Sequence, residues 1–278
     1  MISASRRTDL VASFPDWLAA ALRARRAALV GPRGRTVEID LAPGAVHTVV
    51  LWSKDFSNLI RNERGLGDLL AAYDQAYLHF TITGLGGTAV EPGAPTTGDA
   101  LAQLPALVAF AGDPRRVSVR FDPILFWEER GTVRSNLPAF RAVAAAAAAE
   151  GIKDVRISFA QWYGKAIRRA SARRFAFVDP PEEEKRSHAA GLAAIAAGHG
   201  LVLHACSQPE IVRVPGIIPS SCIDGALLEY LHPRGEPAPR RKDRSQRPDC
   251  LCTGSRDIGS YTQTCPHGCV YCYANPKI

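Results

Sequence analysis

The sequence predicts an α/β protein: a partial (β/α)6 TIM-like barrel followed by an irregular, cysteine-rich C-terminal segment. Three observations carry this expectation. Short apolar runs rich in β-branched residues alternate with alanine- and leucine-rich stretches through the first two-thirds of the chain. Polar residues recur at the C-terminal end of run after run. All seven cysteines follow residue 205, where proline, glycine and charge increase and the periodicity fades.

MISAS at the start reads as a first strand. HTVVLWS (47–53), AYLHFTIT (76–83), RVSVRFDPI (116–124), DVRISFA (154–160) and LVLHACS (201–207) read as five more. Runs that are apolar on both faces, each followed by a helical stretch, indicate a parallel sheet covered by helices. The helices are expected over 14–29, 56–74, 98–111, 135–149 and 182–199. Residues 1–208 are therefore expected to form a β/α barrel domain, and residues 209–278 a cysteine-rich segment over its mouth. In that segment only DGALLEYLH (224–232) suggests a short helix. About seventy residues with so little regular structure need a cross-link, which the cysteines would supply.

The polar residues at the strand ends mark the face where barrel enzymes place their chemistry. They are Ser5, Arg6, Arg7, Thr8 and Asp9; Ser53, Lys54 and Asp55; Thr81 and Thr83; Arg120 and Asp122; Ser158 and Gln161; His204 and Cys206. Arg6 and Arg7 suit bidentate binding of a carboxylate on a cofactor or substrate, or an ion pair with Asp9 or Asp122. Arg120 and Asp122, two apart on one strand, share a face and are candidate catalytic residues or a structural pair. Tyr163 and Lys165 are candidate proton donors near a reactive site, or belong to a loop with a packed aromatic. Asp9 and Asp55 also suit helix capping, Lys54 a solvated position, His204 a core histidine and Asp257 a turn.

The hydrophobic fraction of 46% over 278 residues allows a substantial core. No run of about eighteen apolar residues appears, and MISASRRTDL lacks the apolar stretch of a signal peptide. The expectation is a soluble, cytoplasmic protein with no membrane partner. The net charge of +7 admits a nucleic-acid partner, while the densest basic stretch, PRRKDRSQR (239–247), also reads as a solvated loop.

The cysteines are Cys206, Cys222, Cys250, Cys252, Cys265, Cys269 and Cys272. An odd number without a secretion signal argues for metal or redox chemistry over a disulfide framework. The C-x3-C-x2-C run of CPHGCVYCYAN (265–275) lets one loop ligate three irons of a cubane and leave the fourth open. Zinc would need a fourth ligand, for which His267 or an upstream cysteine is available. The other four cysteines match the number an auxiliary [4Fe-4S] cluster requires; alternatively Cys206 and Cys222 are ordinary buried thiols.

CPHGCVYCYAN resembles the signature loop of the radical S-adenosylmethionine enzymes. The resemblance implies that Cys265, Cys269 and Cys272 hold the cluster, that S-adenosylmethionine binds its open iron, and that Tyr271 lies near the adenine. It further implies an electron donor such as flavodoxin or ferredoxin. In that superfamily the loop usually follows the first strand of the barrel, whereas here it comes after the last, and GLGG (84–87) is a poor substitute for the usual GGE-type segment.

Over its length the chain is identified as a member of the bacterial family domain of unknown function 1848. The matching stretches are SASRRTD (3–9), LWSKD (51–55), FTITGLG (80–86), RFDPI (120–124), ISF (157–159), CID (222–224), QRPDCLC (246–252), SRDIGSY (255–261) and the terminal loop. The substrate is open, a small molecule or peptide fitting as well as a nucleic acid. The competing readings are a zinc-stabilised barrel with a hydrolytic or binding role, and a non-catalytic nucleic-acid-binding metalloprotein.

Overall fold

The structure, a computed structural model, describes residues 1–30, 35–173 and 175–277. All six expected strands form: β1 (Ile2–Ala4), β4 (Val49–Ser53), β5 (Ala76–Thr81), β6 (Val117–Ile124), β9 (Asp154–Phe159) and β11 (Val202–Ala205). Two further strands join them, β12 (Ile217–Pro219) and β13 (Arg256–Asp257). The eight strands lie in the order β12, β11, β9, β6, β5, β4, β1, β13, and every pairing is parallel. The expected count of six thus becomes eight. Strands of three and two residues are too short to show a period in sequence, and β12 ends in proline.

Alternation along the strands divides the sheet into two faces. Val49 and Leu51 of β4 and Leu78 and Phe80 of β5 point into the main core, with Leu104, Leu107 and Val143 from covering helices. Val50, Trp52 and Tyr77 point the other way, into a second cluster that contains Cys206, Cys222, Cys250 and Cys252. β12 and β13 are not paired with each other, yet the chain links their edges: Thr253 N–H donates to Ile223 O at 2.8 Å, and the Ser221 hydroxyl donates to Leu251 O at 3.0 Å. Residues beyond 208 therefore contribute both edges of the same sheet.

The helical stretches shorten where the backbone turns left-handed. The expected helix 14–29 ends at Ala24 (α2, Pro15–Ala24), because Arg25 adopts φ 54°. Residues Arg26–Val30 instead form β2, antiparallel to β3 (Thr36–Asp40). The stretch 56–74 splits into α3 (Ser57–Ile60) and α4 (Leu66–Ala71) around Asn62, Arg64 and Gly65, all at positive φ. The Asn62 side chain accepts from Gly67 N–H at 2.8 Å and so caps the second helix. The stretch 98–111 divides into α5 (Thr97–Leu101) and α6 (Leu104–Ala111), with Pro105 in the first turn of the second.

Helices α7 (Phe140–Ala149), α9 (Glu182–Gly198) and α11 (Gly225–Tyr230) fall in the stretches expected to be helical. Three short elements had no expectation: α1 (Leu10–Ser13), α8 (Gly164–Ala172) and α10 (Pro209–Val212). Strands β7 (Phe126–Glu129), β8 (Thr132–Ser135) and β10 (Ala176–Val178) form a separate antiparallel sheet. No helix of the described residues is long and apolar enough to cross a membrane.

Candidate functional site

The cysteine loop follows β13 and is held by the backbone on both sides. Val270 N–H donates to Val90 O and Gly93 N–H to His267 O, both at 3.0 Å. Cys265 N–H donates to Asn275 O at 3.1 Å and Lys277 N–H to Cys265 O at 2.7 Å, folding the tail onto the loop. Gly93 permits the approach: a Cβ there would meet Pro266 O and come within 3.0 Å of His267 Cα. Segment 90–93, just after GLGG, therefore lies along the cysteines.

His267 is the interior anchor. Its Nε2 lies 2.8 Å from Asp9 Oδ2 and its Nδ1 2.9 Å from Gly93 O. Both partners are acceptors, so both ring nitrogens donate and the imidazole is charged. Burial opposes that charge, but the hydrogen bond and attraction of Asp9 outweigh it and hold the pKa above the ordinary value. An imidazole committed in this way has no lone pair for a metal. Asp9 caps α1 through Ala12 N–H at 2.9 Å and also accepts from Ser53 Oγ and Lys54 N–H.

Cys269 is buried, and Cys265 and Cys272 are half-buried. Burial, and then the Asp9 carboxylate, push the Cys265 thiol up to about 11, while burial carries Cys269 well above its usual value. Unliganded, these sulfurs stay protonated; a bound metal would deprotonate them. Cations surround them. Lys54, Lys165 and Arg169 all act on Cys272, and Arg169 donates to its carbonyl. Lys54 is only 14% exposed and pairs with Glu91 at 2.9 Å, which corrects the expectation of a solvated lysine. Glu91 also accepts from Thr83 Oγ1 at 2.8 Å and from the Tyr271 hydroxyl. A pocket of about 520 Å³ opens beside this group, lined by Lys165, Arg168, Arg169, Ala172, Tyr261, Ala274 and Asn275.

The other four cysteines form a buried row at the linked edges of the sheet. Cys206 Sγ lies 3.8 Å from Cys222 Sγ, Cys222 continues to Cys252, and Cys252 to Cys250. Hydrogen bonding from Cys206 and then Cys252 favours the thiolate at Cys222. Among the described residues no three His, Cys, Asp or Glu side chains are gathered for a single metal ion.

In the cluster of these four cysteines stands Trp52, with Arg6 and Arg120 each 5.0 Å from its ring and His79 stacked at 4.1 Å. Arg120 pairs with Asp122, which accepts from Ser158. Burial opposes the Arg120 charge, but Asp122 and the nearby sulfurs outweigh it and raise its pKa. Tyr273 donates to Arg6 O, and burial raises its phenol above the ordinary value.

Other candidates lie further out. Arg6 donates to Ser255 Oγ at 3.3 Å, and Arg7 to Gly259 O at 3.0 Å with its guanidinium over Tyr261. Neither arginine pairs with Asp9 or Asp122. Tyr163 is 40% exposed and donates to Gln161 at 3.2 Å, while Lys165 sits in the first turn of α8. Asp55 caps α3 through Ser57 N–H at 2.9 Å. His204 faces Asp154 at 3.4 Å. Asp257 does more than shape a turn: it accepts from Ser3 Oγ (3.0 Å), Ser5 Oγ (2.8 Å) and Arg6 N–H (2.8 Å), so it clamps β13 to β1. The basic stretch 239–247 is mostly exposed, and its Arg240 pairs with Glu229 at 2.9 Å.

Sequence reasoning missed Glu91, Arg156, Arg169, Trp52 and Tyr273. Only Arg156 and Trp52 carried a signal, a charge and an indole on the inner positions of apolar strands. A comparison with curated proteins finds no match. Residues 1–274 match the family described as Domain of unknown function (DUF1848), and the chain belongs to that family.

Proposed function

We propose that the protein is a radical S-adenosylmethionine-type enzyme whose [4Fe-4S] cluster is held by Cys265, Cys269 and Cys272, and whose substrate class is open. The observation that carries the reading is the place of β13. In the resembled superfamily the cysteine loop follows the first barrel strand. Here β13 comes late in the chain, but in the sheet it is an edge strand beside β1. Counted across the sheet from that edge, the cysteine loop follows the first strand. The linked edges also favour a barrel-like enclosure.

When bound, the cluster and S-adenosylmethionine would supply one-electron cleavage of the sulfonium to start radical chemistry. The chain's own residues bind, orient and exclude water. Asp9, His267 and Gly93 fix the loop; Lys54, Lys165 and Arg169 offset the charge of three thiolates. The pair Arg120 and Asp122, with Tyr273, would orient a substrate. The cationic pocket beside Cys272 suits the anionic part of a cofactor or substrate. Against zinc at this loop, His267 is already engaged at both nitrogens.

The test is anaerobic reconstitution with iron and sulfide, followed by EPR of the reduced protein with and without S-adenosylmethionine and an assay for released methionine. A signal altered by the cofactor in the parent, and absent in a Cys265→Ala, Cys269→Ala, Cys272→Ala variant, supports the reading. Colourless protein that carries zinc and ignores the cofactor overturns it.

A further inference from the structure

We propose that Cys206, Cys222, Cys250 and Cys252 hold a second iron-sulfur cluster, ligated by four thiolates, whose negative charge compensates the buried guanidinium of Arg156. The site itself is argued independently of the terminal loop; the choice of iron-sulfur over zinc rests on the reading above.

Four thiols arrive here from three separate parts of the chain. Cys206 follows β11, Cys222 follows β12, and Cys250 and Cys252 precede β13. They are 8%, 4%, 6% and 2% exposed. Scattered core cysteines have no reason to converge, whereas ligands of one group must. The convergence point also carries the hydrogen bonds that link the free edges of the sheet, Thr253 to Ile223 and Ser221 to Leu251. A group bound here would fasten the seam.

Charge supplies the second argument. Arg156 is 2% exposed and heads the largest fully buried side chains. Its guanidinium donates to Ser118 Oγ and, at 3.3 Å, to Ser221 O, and its Nε has no partner. Among the described residues no carboxylate forms an ion pair with it; Asp154 is turned to His204. Two other neighbours are neutral: Tyr77 lies 6.0 Å below it, its phenol raised by burial, and His79 is kept neutral by burial and then by Arg156. His79 instead donates from Nε2 to Cys222 O at 2.7 Å.

Arg156 lies beside Cys222 and Asp154, which help to hold its guanidinium charged despite burial. Metal-bound thiolates would strengthen that attraction. Arg6 and Arg120, which also act on these sulfurs, strengthen the same field. Cys206 Sγ and Cys222 Sγ approach to 3.8 Å, and Cys222, Cys252 and Cys250 follow within side-chain hydrogen-bonding reach, so the four thiols a four-iron cluster requires share one buried place.

The experiment compares three full-length preparations reconstituted without oxygen: the parent, the Cys265→Ala, Cys269→Ala, Cys272→Ala variant, and a Cys206→Ser, Cys222→Ser, Cys250→Ser, Cys252→Ser variant. The expected iron contents are about eight, four and four per chain. The terminal-loop variant should keep a reduced EPR signal indifferent to S-adenosylmethionine. Arg156→Gln should move the midpoint potential of that signal to a more negative value, and Arg156→Lys should restore it; should the Gln variant not fold, Arg120→Gln is read in the same way.

A colourless terminal-loop variant, one zinc per chain at the four cysteines, or undiminished iron in the quadruple variant would each overturn the proposal. If the reading of the terminal loop alone is wrong, the two triplet- and quadruplet-substituted chains separate differently. The terminal-loop variant then matches the parent at about four irons, and only the quadruple variant is empty.

Discussion

His267 Nε2 lies 2.8 Å from Asp9 Oδ2, joining residues 258 positions apart in a buried ion pair. Removing one partner leaves the other charged and dry. His267→Ala should therefore lower unfolding free energy by about 3–5 kcal/mol. Urea unfolding monitored by far-UV circular dichroism checks it; a loss under about 1 kcal/mol would mean the pair does not secure the loop.

Gly93 fits against Pro266 and His267 without room for a methyl group. Gly93→Ala should cost about 1–3 kcal/mol and lower the iron retained by the reconstituted terminal loop. Gly44→Ala is the control, since a Cβ there meets nothing within 4 Å. Iron per chain and thermal midpoints for both variants decide the matter.

Asp257 accepts from three groups at β1 and from Gly259 N–H at 3.0 Å. Asp257→Ala should destabilise the protein by about 3 kcal/mol and free the edge strand. The local readout is hydrogen exchange. The amides of Arg256 and Ile258, which donate to Met1 O and Ser3 O, should exchange faster, while those of β5 stay protected.

Burial raises the Tyr73 phenol above its ordinary value, and its hydroxyl donates to Leu41 O at 2.5 Å. The fold thus favours the protonated form. The stabilisation is complete below the unfolded pKa of about 10 and is lost as pH rises through the higher folded value. Tyr73→Phe should flatten the alkaline limb of a stability-against-pH curve and leave the region near neutrality parallel to the parent. An unchanged alkaline limb would refute this.

The sheet was readable from sequence because its central strands are continuous apolar runs, and each of the six expected ones formed. Arg26–Val30 was not readable: RAALV has helical composition, and only the left-handed Arg25 and the pairing with Thr36–Asp40 make it a strand. The polar strand ends were legible as a class, their partners were not. Nothing local to Lys54 announces Glu91, nor does Asp257 announce Ser3, since these meetings depend on strand order. Arg169 and the α8 helix were missed because the buried face of GKAIRRASA consists of two alanines, Ala166 and Ala170, among charged neighbours.

The parallel pairing of β1 with β13 sets a timetable for biosynthesis. β1 leaves the ribosome about 250 residues before β13, and its outer edge waits for residues 256–257 before it has a neighbour. Throughout that interval a nascent chain carries an open strand edge, the feature most prone to pairing with another molecule. Contacts of such long sequence separation also form slowly. Chains interrupted before residue 256 should thus depend on chaperones and be cleared readily.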